Sequence, residues 1–300
     1  AKAALLVSFA SILSRLMGVY RDRVLASTFG AGPSLDAYYA AFRLPDLLYT
    51  LFILGALTAG FIPVFTDYWE NKSPQAAKQL SETVISVVGC GLAGAGLLLF
   101  FLAPYVVPLT IRGFSAETVQ STVYLTRIMC LSPLILGLSA VMGGVLQATH
   151  RLFAFAFAPL FYNLGIIFGA IFIAPRIGIA GLAWGVVLGA AMHFLIQSSV
   201  AWHLGVRHIV RPSLASPGVR SILSLMGPRT IGLAVNQINA VILLSFAASL
   251  SSGSVSIFTL ANNVQSFPIG IIGVSFAIAA FPALSSAAAQ KKDEAFRQMC

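Results

Sequence analysis

Apolar runs of about 20 residues, the length that crosses a hydrocarbon core as a helix, recur along the whole sequence. Short breaks with turn chemistry separate them, such as Gly30-Ala31-Gly32-Pro33-Ser34, Arg112-Gly113-Phe114-Ser115 and Ser251-Ser252-Gly253-Ser254. The pattern predicts about eight transmembrane helices, near 4–29, 36–65, 80–110, 118–147, 152–174, 178–203, 219–249 and 254–288. Several are longer than a bilayer requires, so tilt or extension past the hydrocarbon is expected. No strand-period alternation is long enough for a membrane barrel. The expected fold class is an all-α polytopic membrane protein.

Charge scarcity narrows the function classes. Only 9% of residues are charged, against ~25% in soluble domains. Such a chain could not cover a soluble surface, which excludes a soluble enzyme, a secreted disulfide scaffold, a disordered chain and a nucleic-acid binder. The net charge of +9 is spread among loops and points to anionic lipid headgroups. Cys90, Cys130 and Cys300 show no metal-site or disulfide spacing and are expected as small buried hydrophobes. The first span contains Arg15, Arg21, Asp22 and Arg23 and lacks a cleavage site, so it is no signal peptide.

Basic residues set an expected orientation. Lys2, Lys72, Lys78, Arg151, Arg207, Arg211, Arg220, Lys291, Lys292 and Arg297 fall on one side, and only Arg112 and Arg176 on the other. That bias places the N-terminus in the cytoplasm. The 204–218 connection, with Pro212 and Pro217, is the expected boundary between two bundles. A faint echo between Ala56–Pro63 and Val274–Pro282 suggests that helices 7–8 repeat helices 1–2.

The six remaining basic residues, Arg15, Arg21, Arg23, Arg43, Arg127 and Arg229, lie within or at the ends of spans. An arginine at the bilayer centre costs about 2.5–3.5 kcal/mol on insertion scales, so each must pair, face a wet cavity or snorkel. Snorkelling is expected for Arg127 and Arg229. Arg15, Gly18 and Asp22 share one face of the first helix, with Arg21 about 120° around from Arg15. Asp36, Tyr39, Arg43 and Asp46 form a polar stripe on the second, which contains Pro45. Two such stripes on a hairpin can line one cationic cavity, and a guanidinium fork suits a phosphate headgroup. Ion pairing within Arg21-Asp22-Arg23 is the structural alternative.

Neutral polar residues, among them Asn163, His193, Gln197 and Gln237, read as interhelical hydrogen-bond glue. Gly181/Gly185/Gly189 and Gly165/Gly169 have the spacing that lets helix backbones approach closely, and the Gly89–Gly96 run is similar. No hydrolytic or metal constellation is visible, so no enzyme activity and no cofactor are expected.

Taken in order, several segments resemble the MurJ/MviN lipid II flippases. They are Ser14-Arg15-Leu16-Met17-Gly18 with Arg21-Asp22, Phe29-Gly30-Ala31-Gly32, Asp36 to Pro45, Phe61-Ile62-Pro63-Val64-Phe65, Gly143 to Ala148, Ala158-Pro159-Leu160 to Gly165, Gly178 to Gly185, Pro228-Arg229 to Asn239, and Pro268 to Ile271. The likeness runs over nearly the whole chain, and it is the ordered set that carries it.

The resemblance implies the superfamily that also holds multidrug (MATE) and polysaccharide exporters, with two six-helix lobes around a central cavity. Residues 1–205 would be the N-lobe with helices 1–6, 206–218 a cytoplasmic inter-lobe linker, and 219–300 the first two helices of an incomplete C-lobe. The chain would be a fragment. The implied activity moves undecaprenyl-pyrophosphate-linked muropeptide, lipid II, from inner to outer leaflet of the bacterial cytoplasmic membrane by alternating access. Coupling would be to membrane potential or a monovalent ion, and the protein is expected to be monomeric. The implied substrate-binding residues are Arg15, Arg21, Asp36, Arg43, Asn262 and Asn263. The sequence departs from better-known members at Tyr49, where they carry a basic residue, at Leu54, where they carry an acidic one, and at Asn262-Asn263, where they carry an Asp-Arg pair. Competing expectations are an exporter of another polyprenyl-linked saccharide, a MATE-like drug antiporter, an intramembrane enzyme and a non-transporting scaffold.

Overall fold

A computed structural model of the chain describes residues 2–54, 60–206 and 212–269. Among the described residues every regular element is helical. In order they are α1 (Lys2–Phe29), α2 (Pro33–Tyr49), α3 (Ile62–Asp67), α4 (Pro74–Thr110), α5 (Ala116–Met129), α6 (Leu131–Ala148), α7 (Leu152–Phe168), α8 (Ala174–Ile177), α9 (Ile179–His203), α10 (Pro217–Ala248) and α11 (Ser254–Pro268). Single π turns extend α2 (Thr50–Leu54), α3 (Tyr68–Lys72) and α7 (Gly169–Ile173).

Within the described residues the expected spans fall on helical segments, but the count of eight is not reached by length and composition. Among the described residues, five segments are long and apolar enough to cross a membrane: Pro74–Thr110, Ala116–Ala148, Leu152–Ile177, Ile179–His203 and Arg229–Ala248. α1 and α2, which hold most of the charged residues of the candidate site, fall outside this group. α1 carries Arg15, Arg21, Asp22 and Arg23, and α2 carries Asp36, Arg43 and Asp46. The 55–59 and 270–300 stretches, and with them the proposed internal echo, lie outside the described residues, as do Arg207, Arg211, Lys291, Lys292, Arg297 and Cys300.

Packing groups Ala1–Ile257 in one compact unit and Phe258–Cys300 in another. In the first, α7 packs along both α1 and α9, α6 also lies on α9, and α2 lies on α5. α10, expected to open a second lobe, rests on α2, α4 and the Thr50–Leu54 turn. Loops gather at two ends. At one, Pro33, Gly113, Phe114, Leu250 and Ser251 surround a small polar cavity. At the other, Tyr68 and Leu80 pack on Gly218, and Lys78 packs on Gly205. Lys72, Lys78 and the 212–220 stretch thus share this second end.

Local chemistry explains the breaks. Ser73 and Ser115 open α4 and α5 by accepting hydrogen bonds from the backbone N–H of Ala76 and Thr118, at 3.1 and 3.3 Å. Between α5 and α6, Pro133 cannot donate to the Met129 carbonyl four residues earlier. Ser132 Oγ donates to that carbonyl instead, at 2.9 Å. Pro45 does not end α2; the Ala41 carbonyl it leaves open faces Thr126 Oγ1 at 3.5 Å.

Helix association in lipid depends on close packing, since the tails offer no hydrophobic drive. The glycine spacing supplies it. A Cβ on Gly185 would lie 2.8 Å from the Gly169 Cα, and one on Gly165 would overlap the Gly189 backbone. Phe65, Leu80, Val84, Val145, Ala201 and Ile222 form the main core near the Ser73 end, joining α3, α4, α6, α9 and α10. Cys130 is buried as expected, but Cys90 is exposed on α4.

Candidate functional site

Arg21 is the centre of the polar cluster. Its Nε and Nη2 donate to Asp22 Oδ1 at 3.0 and 2.7 Å, and its Nη1 donates to Asn163 Oδ1 on α7 at 2.9 Å. Asn163 is oriented in turn, because its Nδ2 donates to the Pro159 carbonyl at 3.0 Å. Asp22 is only 6% exposed. The expected ion pair therefore exists, and it does not remove Arg21 from the cavity. Arg21 lines a space of about 300 Å³ with Asp46, Tyr49, Tyr162, Pro45 and His193. The ion pair and the place in the cavity wall are compatible in one side chain, since a fork of five donors has more capacity than one carboxylate oxygen and one amide use.

The polar stripe of α2 has a different fate from the one its spacing suggested. It divides among neighbours rather than lining one cavity. Asp46 Oδ2 and Thr50 Oγ1 both accept from Gln237 Nε2 of α10, at 3.2 and 2.7 Å. Asp36 is 2% exposed. Its two oxygens accept from Gly253 N at 2.6 Å, Ser256 N at 2.7 Å and Ser256 Oγ at 2.6 Å. Asp36 thus caps the first turn of α11 from another helix, where a carboxylate also meets the positive end of the helix dipole. Gly253 fits that turn because its φ is +92° and a Cβ there would sit 2.8 Å from the Ala31 carbonyl oxygen.

Asp36→Asn is expected to loosen this clasp. A charged acceptor with three donors becomes a neutral amide, a loss of about 2 kcal/mol. Hydrogen exchange at Gly253 and Ser256 should speed up by roughly 30-fold. Unchanged exchange there would remove the clasp from the account.

The remaining arginines differ in kind. Arg43 is half-buried, forms no hydrogen bond or ion pair among the described residues, and its Nε is buried without a partner. The Tyr39 hydroxyl one turn earlier is likewise buried without a partner. Arg15 and Arg23 are exposed. Asn262 is exposed and Asn263 half-buried on the second unit. Tyr49, at a departure from the family pattern, lines the Arg21 cavity, while Leu54 is exposed.

Sequence reasoning read Asn163 only as generic glue and gave Tyr162 no role. His193 was also set aside, and it stands in the cavity wall with its Nδ1 2.8 Å from Ser139 Oγ. No spacing signal joins these to Arg21, because they lie on α6, α7 and α9.

The family model for lipid II flippase MurJ matches residues 25–300. The chain belongs to the MurJ family. It is 31% identical to lipid II flippase MurJ of Burkholderia cenocepacia over 295 residues, covering 95% of this chain and 57% of that protein. It is 32% identical to the probable lipid II flippase MurJ of Rhizobium tropici, covering 95% of this chain and 55% of that one. The chain therefore spans a little over half the length of these MurJ relatives. A solved lipid II flippase MurJ in an inward closed conformation superposes with a TM-score of 0.78 at 25% identity, covering 96% of this chain and 59% of the other. An inward-facing MATE multidrug transporter shares the fold, with a TM-score of 0.74 at 18% identity. MurJ membership accords with a multi-pass membrane protein of helical transporter fold.

Proposed function

We propose that the protein to which this chain belongs is a lipid II flippase, moving the polyprenyl-pyrophosphate-linked precursor from the cytoplasmic to the outer leaflet by alternating access. The observation that carries the reading is Arg21, a guanidinium held on α1 within a helical membrane fold and turned to a cavity. A guanidinium stays charged when desolvated and offers a pyrophosphate parallel hydrogen bonds. Arg43 Nε and the Tyr39 hydroxyl are further donors left open on α2. A buried donor without a partner costs about 1–3 kcal/mol, which a ligand's phosphate oxygens would recover.

In this reading the Ser73 end is cytoplasmic and the Gly30 end faces out, following the basic residues. The clasp between Asp36 and residues 253–256 would then close the outer side, and the Asp46–Gln237 bond would steady α2 against α10. Transport would not need ATP; membrane potential or a monovalent ion would drive it. A cationic-drug antiporter is the weaker reading, because Asp22, Asp36 and Asp46 are all engaged by protein donors.

The test is complementation. The full-length gene is expressed in bacteria depleted of their own lipid II flippase, and lipid II exposed on the outer leaflet is measured with an externally added lipid II-degrading enzyme. Restored exposure is expected. A well-expressed protein that fails to restore it would point to another lipid-linked cargo. Arg43→Ala should lower outer-leaflet lipid II by roughly tenfold, the value of one charge-assisted bond, with little loss of folded protein.

A further inference from the structure

A second built site lies on a different face of the molecule. Leu97 and Phe100 of α4, Tyr124 and Arg127 of α5, Leu131 of α6 and Trp184 of α9 line a groove of about 490 Å³. It shares no lining residue with the Arg21 cavity. Its walls are mostly apolar, Arg127 is its one charged side chain, and Leu97, Tyr124 and Trp184 are exposed.

Arg127 is held there by a specific vacancy in a helix. Pro104 has no N–H to give the Phe100 carbonyl four residues earlier. Arg127 Nε donates to that carbonyl at 3.1 Å, and the guanidinium carbon lies 5.1 Å from the Phe100 ring centroid. Both terminal nitrogens remain without a hydrogen-bond partner or carboxylate among the described residues. Snorkelling alone, the expectation from sequence, does not call for such fixation.

Depth is informative too. The Ala116–Ala148 span has 33 residues, about 50 Å of helix against a hydrocarbon core of about 30 Å. Arg127 is 11 residues from its start, about 17 Å along the axis and a few ångströms inside the core boundary. Its side chain leans back toward the helix N-terminus, so the guanidinium reaches the headgroup level of that leaflet. Tyr124 and Trp184 suit the same depth.

We infer that this groove binds one anionic glycerophospholipid, with its phosphate on Arg127 Nη1 and Nη2 and an acyl chain along Leu97, Leu131 and Trp184. Charge complementarity selects the occupant. The groove offers a cation and no carboxylate, so a phosphatidylglycerol-type headgroup is matched, while the ammonium of phosphatidylethanolamine finds no partner. This site is independent of the transport reading and requires only that the chain spans a bilayer.

The test uses the full-length protein with every tryptophan except Trp184 changed to Phe, Trp69 and Trp202 included, in vesicles of brominated phosphatidylglycerol or brominated phosphatidylethanolamine. Trp184 emission should be quenched at about tenfold lower mole fraction of the anionic lipid. Arg127→Gln should erase that preference, and Arg127→Lys, which keeps charge but loses the fork, should keep part of it. Equal quenching by both lipids in the parent protein overturns the proposal, as does a preference that survives Arg127→Gln. No quenching by either would show that the rest of the chain covers the groove, and displacement by a polyprenyl phosphate at equal concentration would assign it to substrate; each also overturns it. The parent comparison decides the matter even if Arg127→Gln does not fold.

Discussion

Arg21→Ala in the full-length protein is expected to abolish rescue of flippase-depleted bacteria, with outer-leaflet lipid II reduced by about 10- to 100-fold. The substitution removes the fork that would hold a phosphate. It also takes from Asp22 the guanidinium bonded to it at 2.7 Å and from Asn163 the donor at 2.9 Å. Asp22 is 6% exposed, and breaking such a buried pair costs about 3 kcal/mol. Loss of activity and loss of fold must therefore be separated. Arg21→Met combined with Asp22→Asn leaves no uncompensated charge, so it should insert and fold near wild-type levels yet still fail to transport. Arg21→Lys keeps charge without the fork and should give intermediate lipid II exposure. If the double variant transports normally, Arg21 is a structural ion pair and the headgroup must be read by other residues.

Gly185→Leu should prevent α7 and α9 from packing and leave little folded protein. The nearest atoms to a Cβ at Gly185 are backbone: Gly169 Cα at 2.8 Å, the Gly165 oxygen at 3.1 Å and the Ile166 oxygen at 3.2 Å. A flexible side chain could move aside, but a helix backbone cannot without parting from its partner. Overpacking in a core typically costs about 1–3 kcal/mol, and more where backbone is the obstacle. Because α7 also carries Asn163 and packs on α1, the separation would displace the partner of Arg21. Gly94→Ala is the matched control. Nothing lies within 4 Å of a Cβ there, so it should be neutral or stabilising by up to about 1 kcal/mol. Monodispersity in detergent and thermal unfolding distinguish the two; a folded Gly185→Leu would mean that α7 and α9 can slide apart cheaply.

These cases show what a pattern can and cannot report. Small residues four apart on α7 and α9 announced close approach, and the structure has it. The same signal in the Gly89–Gly96 run was ambiguous. Gly96 meets the Cys130 carbonyl and Gly91 meets Phe52, whereas Gly94 meets nothing. Spacing says that an approach is permitted; the partner determines whether it happens.

Ordered segments carried the family resemblance, while composition and pattern determined the helical class and the breaks. Those follow from quantities local to the chain: apolar run length, turn residues, proline positions and the cost of charge in lipid. Only the tertiary structure decided what each charge meets. Asp36, Tyr39, Arg43 and Asp46 look equivalent on one helical face, yet one caps a distant helix, two keep unpaired buried donors and one bonds to Gln237 across 191 residues of sequence. Arg127 likewise looked like an ordinary snorkelling residue until Pro104, on another helix, left open the Phe100 carbonyl that fixes it. Periodicity assigns a side chain to a face. Hydrogen bonds act over about 3 Å, so their partners are set by which helices the packing brings side by side.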